Sequence, residues 1–391
     1  MRPLEGITVV SVEQAVAAPF ATRQLADLGA RVIKIERPDG GDFARGYDTR
    51  VNGLSSYFVW LNRSKESLTL DLKRPDGRGV LDRLLARADV FVQNLAPGAA
   101  ERLGVDAPAL RARYPRLVAC TISGYGSTGP YAHKKAYDLL VQSEVGLLSI
   151  TGTEDAPAKA GISVADIAAG MYAWSAVLTA LLVRARTGDG AAIDVSLFDA
   201  LGEWMQHAAY YAQGGSPPPR TGASHASIAP YGPFRAGDGA VVYLGVQNDR
   251  EWTRLCRDVL NAPALAGDER FRTNPQRVRH RAELQEAIES ALARWTAGET
   301  AARLDAAGIA CARMNSVADY VDHPQLAARD CWRTIRTPAG PVRAVVPPAR
   351  IDGVAPVMGD VPALGRHTDA ILAELGIDRA TVERWRAEGT I

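Results

Sequence analysis

The chain has 391 residues, with 45 Lys+Arg against 44 Asp+Glu, a formal net charge of +1 and 47% hydrophobic residues. This is the composition of a globular protein of two to three domains at about 150 residues each, and it excludes a disordered, collagen-like or disulfide-stapled chain. The balanced charge argues against a nucleic-acid partner, which would need net basic surface to match phosphates.

In chain order, Ile7–Val12 reads as a strand and Pro19–Gly29 as a helix ended by its glycine. Ala30–Glu36 is the next strand and Ser67–Leu72 another. A helix follows over Pro75–Ala88, with proline where a first turn tolerates it. Asp89–Asn94 and Leu117–Ile122 continue the strands. Strands alternating with helices predict right-handed βαβ units and a parallel sheet. A long apolar helix is expected from Val164 to Thr187, ended by Gly188, then a strand over Ala191–Leu197 and a helix over Phe198–Gln213. Gly214–Arg220, with three consecutive prolines, reads as a linker. Beyond it the texture changes: a strand over Ala240–Val246 and helices over Asp249–Leu260, His280–Ala297 and Thr300–Ala307 predict a smaller second domain. Pro338–Asp352 is strand and loop. Helices over Thr368–Leu375 and Asp378–Glu388 close the chain.

The longest charge-free apolar run, Ile167–Val183, is shorter than the ~20 residues of a membrane span and holds Gly170 and Ser175, so a buried helix and no membrane partner are expected. Cys120, Cys256, Cys311 and Cys331 are scattered without a CxxC pair, which fits a reducing compartment. The first residues carry no basic-then-apolar leader. The cytoplasm is the expected location. The six histidines show no ligand spacing, so a metal site is not signalled. No Gly-x-Ser-x-Gly elbow is present.

Gly124-Tyr-Gly-Ser-Thr-Gly129 matches a dinucleotide fingerprint, but it runs into Pro130-Tyr-Ala-His-Lys-Lys instead of opening an apolar-faced helix, and reads as a glycine loop. Only six basic residues are lysine: Lys34, Lys65, Lys73, Lys134, Lys135 and Lys159. Lysine is a compact charge suited to phosphate, so its retention points to an anion site in the first half. Arg37, Lys73 and Lys135 follow three different strands on the side where open α/β sheets bind ligands, which fits a phosphorylated cofactor. Asp166 stands where the long apolar helix begins. It reads either as a helix cap or as an ionised nucleophile with backbone N–H donors beside it.

Taken in order, several segments resemble one family over essentially the whole chain: Leu4-Glu-Gly-Ile-Thr-Val-Val, Leu28–Glu36, Asn62-Arg-Ser-Lys65, Leu70-Asp-Leu-Lys73, Ala88–Asn94, Pro97-Gly98, Ser123–Gly126, Lys135-Ala-Tyr-Asp138, Ala165-Asp166, Ala229–Phe234 and Leu364–Asp369. They resemble the class III CoA-transferases, the formyl-CoA transferase and carnitine CoA-transferase group. The resemblance implies an α/β fold with a Rossmann-like parallel-sheet large domain, a smaller α+β domain and an interlocked homodimer. It places residues 1–213 in the large CoA-binding domain and 221–325 in the small one, with 326–391 returning to the large one. It implies acyl-CoA and a carboxylic acid as substrates and no prosthetic group. Asp166 would attack the acyl-CoA, and an anhydride and an aspartyl-CoA thioester would follow. CoA contacts would fall to Val16, Ala17, Arg37, Leu70, Lys73, Asn94, Arg102 and Lys135.

Three departures refine the resemblance. Val16 stands where formyl-CoA transferases have glutamine, and their glycine-run loop is missing, which argues against formate and oxalate. Tyr137 replaces the histidine of the α-methylacyl-CoA racemases, which share the fold and remain the alternative. Phe43–Asp48 and Ala223–Ala226 look like the itaconate, mesaconate and succinate branch, with succinyl-CoA as donor. A dicarboxylate needs a cation for its free end, and Arg45, Arg50 and His225 are the candidates.

Overall fold

A parallel sheet covered on both faces needs strands that are apolar along their whole length. The structure, a computed structural model, describes residues 2–391 and has six parallel strands, the middle ones largely buried. They are β1 (Thr8–Val12), β2 (Arg31–Glu36), β3 (Lys65–Thr69), β4 (Val90–Gln93), β5 (Val118–Ser123) and β6 (Ala192–Ser196). Their order is β3-β2-β1-β4-β5-β6, and every pair is parallel. The chain reverses its direction of winding between β1 and β4, the place where doubly wound sheets open a crevice at their carboxyl ends.

The chain forms two compact units: residues up to Val145, Ala160–Met205 and Ala327–Ile391 in one, and Gly146–Lys159 with Gln206–Leu326 in the other. In the first, Val10, Ile33, Leu68, Leu85 and Phe91 share a core with Leu372 and Trp385 from the C-terminal helices. The His367 N–H donates to the Ser67 carbonyl at 3.0 Å, and the Thr69 N–H to Thr368 Oγ1 at 3.1 Å, fixing that segment along β3. The second unit has an antiparallel sheet of β7 (Tyr231–Arg235), β8 (Val241–Gly245) and β9 (Ala310–Ala312). Trp252, Leu284 and Ile288 fill its core.

The structure departs from the sequence reading in two places that matter for the site. The helix expected over Phe198–Gln213 is two helices, Leu197–Trp204 and Gln206–Gln213, and the second lies in the other unit. The long helix spans Val164–Thr187 as expected and is apolar enough by length and composition to cross a membrane, but it is not buried all round. Ala165, Ala168, Ala169, Gly170, Ala173 and Val177 are buried, whereas Tyr172, Leu182 and Val183 are exposed in the chain.

Candidate active site

Helix α1 (Ala17–Asp27) follows β1, helix α2 (Asp138–Glu144) follows the glycine loop after β5, and helix α3 is Val164–Thr187. A Cβ on Gly124 would stand 2.2 Å from the Ala136 Cβ, so glycine there admits the Lys135–Asp138 segment to the end of β5. A Cβ on Gly170 would meet the Ala17 carbonyl oxygen at 2.7 Å. Gly170 lies one turn beyond Asp166 on the same face, so the start of α1 rests against the first turns of the helix that carries Asp166.

Asp166 does not cap its helix. Asp138 does so from α2, its Oδ1 accepting the Ala165 N–H at 2.8 Å and the Asp166 N–H at 3.4 Å. Asp138 Oδ2 takes the Gln142 amide at 2.6 Å. Among the described residues the Asp166 carboxylate itself accepts no hydrogen bond. Burial, and secondarily the Asp138 charge, push its carboxyl up to about 7. The helix start therefore does not keep Asp166 fully ionised, contrary to the sequence reading: desolvation and a like charge outweigh the backbone donors. The Tyr47 phenol lies in the field of both Asp42 and Asp166, and is raised first by burial and then by those charges.

A cavity of about 320 Å³ opens at the carboxyl ends of β1, β2 and β3. Arg37, Leu70 and Lys73, three of the expected CoA contacts, line it together. Arg37 is steadied by the Gly41 carbonyl at 3.1 Å and by the Phe43 ring, 4.8 Å from its guanidinium carbon. Leu103, next to Arg102, reaches the same cavity. Lys73, Arg102 and Lys135 are exposed, and among the described residues none pairs with a carboxylate. Val16 and Ala17 are buried at the start of α1, whose first turn has no side-chain cap, so what they offer a ligand is main chain. Asn94 spends its amide on the Gln14 backbone, accepting its N–H and donating to its carbonyl, both at 2.9 Å. It shapes the β1–α1 loop from across the switch point.

The lysine reading needs correction. Lys34 and Lys65 are fully buried and belong to an ion network under the cavity. Lys34 Nζ sits 2.5 Å from Asp42 and 3.6 Å from Glu13, and Lys65 Nζ donates to Glu13 at 2.7 Å. Burial brings Lys65 down to about 8 against the pull of Glu13. Lys134 pairs with Glu144.

Two of the three distal-carboxylate candidates are already committed. Arg45 forks onto buried Glu36 with both bonds at 2.8 Å and lies 3.7 Å from the centre of the Phe58 ring. Burial pushes Glu36 up, but the Arg45 hydrogen bonds and the Lys34 and Arg45 charges hold it at about 2. His225 is in the second unit, stacked on Tyr231 at 5.3 Å, with Nδ1 accepting the Ser227 N–H at 3.2 Å. Burial, then His207 and Arg281, push its pKa down, so it is a neutral imidazole at pH 7. Arg50 alone is exposed, with only its main-chain N–H bound to Asp48. Glu36, Asp42 and Asp138 escaped the sequence reading. Glu36 and Asp138 end segments that carry the resemblance and Asp42 precedes Phe43–Asp48, but only the fold shows what each holds.

A doubly wound sheet with basic side chains around its crevice, and beside it a carboxyl that among the described residues accepts no hydrogen bond, suits an enzyme acting on an anionic substrate. The model of CoA-transferase family III matches residues 4–368, and the chain belongs to that family. It is a class III CoA-transferase, whose substrates are CoA thioesters. It is 36% identical over 393 residues to the succinate–glutarate CoA-transferase of Agrobacterium fabrum, covering 98% of this chain and 97% of that protein. It is 35% identical over 399 residues to the succinyl-CoA:glutarate CoA-transferase of Mus musculus, covering 100% of this chain and 91% of that one. A crystal structure of a CAIB/BAIF family protein from Brucella suis superposes with a TM-score of 0.82 at 36% identity, covering 95% and 99% of the two chains.

Proposed function

We propose that the protein moves CoA from succinyl-CoA to a five-carbon dicarboxylate such as itaconate, mesaconate or glutarate, with Asp166 as the covalent relay. Itaconate and mesaconate follow from the sequence branch. Glutarate is the acid named for two relatives and has the same carbon count and charge. The observation that carries the relay is the Asp166 carboxyl itself: half-buried, without a hydrogen-bond partner among the described residues, and relieved of capping by Asp138.

In this reading the ionised Asp166 oxygen attacks the thioester carbonyl of succinyl-CoA. A C–O bond forms, the C–S bond breaks, and CoA thiolate leaves a mixed anhydride. The thiolate then attacks the aspartyl carbonyl, releasing succinate and giving an aspartyl-CoA thioester. The acceptor carboxylate attacks that thioester and expels the thiolate again. The thiolate finally attacks the acceptor's acyl carbon, returning Asp166 as a carboxylate. No net proton is consumed, so the site needs a nucleophile and charge stabilisation rather than an acid–base pair. Arg37, Lys73, Arg102 and Lys135 hold the CoA phosphates, and Val16 and Ala17 meet CoA through their main chain.

The reading also makes the protein a cytoplasmic, interlocked homodimer. The exposed Tyr172, Leu182 and Val183 of α3, and a groove of about 670 Å³ beside it lined by Thr179, Ile193 and Ala200, are the surface a second copy would cover. Sedimentation of the purified chain reads that state. The function is tested by incubating the enzyme with succinyl-CoA and a panel of acids. Itaconate, mesaconate and glutarate should accept CoA, and Asp166→Ala should abolish transfer while remaining folded. Equal specificity constants for butyrate and glutarate would refute the acceptor class. An active Asp166→Ala would refute the relay.

A further inference from the structure

The loop between β1 and α1 holds an unusual residue. Ala15 has a φ of +62°, a left-handed conformation that a side chain with a Cβ adopts only when its surroundings impose it. Two groups impose it. Asn94 clamps the Gln14 peptide from β4. Asp42 Oδ1 accepts the Ala15 N–H at 2.9 Å. The same oxygen accepts the Ala44 N–H at 2.9 Å, fixing the turn Phe43–Gly46. Asp42 is itself locked: its N–H donates to Glu36 Oε1 at 3.1 Å, and its Oδ2 holds the buried ammonium of Lys34 at 2.5 Å. Asp42 thus ties together the two loops that wall the cavity, residues 12–14 and 37–42. On its far side, the Ala15 loop leads directly into Ala17, whose carbonyl oxygen lies against Gly170, one turn from Asp166.

We propose that Asp42 is a positioning residue for the transfer reaction: by forcing the strained Ala15 peptide, it sets how the start of α1 presents the bound thioester to Asp166. The inference rests on the reading of Asp166 as the nucleophile. Lys34 balances the charge of Asp42 together with those of Glu13 and Glu36, and the working contact is Oδ1 on the Ala15 N–H. Among the described residues Lys73, Arg102 and Lys135 make no hydrogen bond or ion pair with Asp42, and the Asp42 N–H keeps its bond to Glu36 beside Arg37, so losing this contact should cost turnover far more than CoA affinity. A small misplacement of reacting groups costs about a hundredfold in rate.

The experiment compares Asp42→Asn with Asp42→Leu, of nearly equal size, in the full-length enzyme. The amide oxygen of Asn still accepts from Ala15, and Leu cannot. Asp42→Asn should keep at least about ten times the kcat of Asp42→Leu, with Kd for free CoA, read by calorimetry, equal within about threefold in both. Amide exchange over residues 14–17 should be faster in the Leu variant. Adding Ala15→Gly to the Leu variant should then recover turnover, because glycine adopts the left-handed conformation without being forced. Should Asp42→Leu leave Lys34 too poorly compensated to fold, K34M/D42N against K34M/D42L repeats the comparison without that buried pair. Equal kcat for the Asn and Leu variants, or no recovery on Ala15→Gly, overturns the proposal. Neither result bears on the nucleophile, whose own test is Asp166→Ala.

Discussion

Asp138 caps the turn that carries Asp166, and in doing so sets a second carboxylate against it: one oxygen of Asp138 accepts the N–H groups of both Ala165 and Asp166. Capping and electrostatics are then the same contact. The helix end is satisfied without using the Asp166 side chain, and the neighbouring charge adds to burial in raising its carboxyl to about 7. Only the ionised form attacks a thioester, so kcat/KM for acyl-CoA should rise between pH 6 and pH 8 with an inflection near 7. Asp138→Asn keeps an oxygen for the Ala165 N–H and removes the charge, so the inflection should move to lower pH. A pH–rate profile identical to that of the unaltered enzyme would show that Asp138 does not act on Asp166.

The same shift is a stability statement. A carboxyl whose folded value, about 7, lies above its ordinary 3.8 favours the folded state below pH 3.8, and that contribution is lost as pH rises through 7. Asp166→Asn removes the loss. It should therefore raise stability at pH 8 by about 2 kcal/mol, allowing for the water the half-exposed carboxyl keeps, and change little at pH 4, while abolishing transfer. Urea unfolding of both proteins at the two pH values measures it.

Lys73 and Arg37 face one cavity, and among the described residues no carboxylate pairs with either, which is the arrangement an anionic ligand needs. Lys73→Ala should raise the apparent constant for acyl-CoA about ten- to hundredfold, and the effect should shrink as salt increases. Lys134→Ala, whose partner is Glu144, serves as the contrast and should leave it within about twofold. Equal effects of the two substitutions would move the phosphates elsewhere.

The strands of the large unit were legible because a parallel sheet buried on both faces leaves continuous apolar runs such as Thr8–Val12 and Val90–Gln93. The helix Val164–Thr187 was legible from its hydropathy and from Gly188, though not which of its faces is covered, since exposed Leu182 and buried Val177 are about equally apolar. At the site, Arg37, Leu70 and Lys73 came together because residues at consecutive strand ends must share one rim. What stayed hidden is pairing between distant segments. Lys34 within β2 and Lys73 beyond β3 are both lysines of the strand-and-loop region, yet one is buried against Asp42 and the other is exposed at the cavity. Arg45 and Arg50 stand five positions apart, and nothing in the chain shows that Glu36 claims the first. A salt bridge is a property of the fold, and only alternation and apolar runs are written locally.

Arg45 and Arg50 provide the last test, because the two arginines are assigned opposite roles. Arg45 is held in a fork by Glu36, whose carboxylate is fully buried. Arg45→Ala removes the forked partner and leaves the buried charge to Lys34 and the Ser67 and Asp42 donors, a loss approaching about 3 kcal/mol. The damage should appear as a lower unfolding midpoint. The preference for glutarate over butyrate should survive at temperatures where the variant is folded. Arg50 is exposed, and among the described residues its guanidinium makes no hydrogen bond or ion pair, its charge only adding to the hydrogen bonds that hold the Asp48 carboxyl low. As the cation for the acceptor's free carboxylate, it would contribute a charge-assisted hydrogen bond, worth about 1.5–3 kcal/mol. Arg50→Ala should thus raise KM for glutarate about ten- to hundredfold, leave that for butyrate unchanged, and leave the unfolding midpoint within a degree or two. Measured in parallel, the two variants separate a structural fork from a recognition site. If Arg50→Ala weakens glutarate and butyrate equally, the free carboxylate is held by another group.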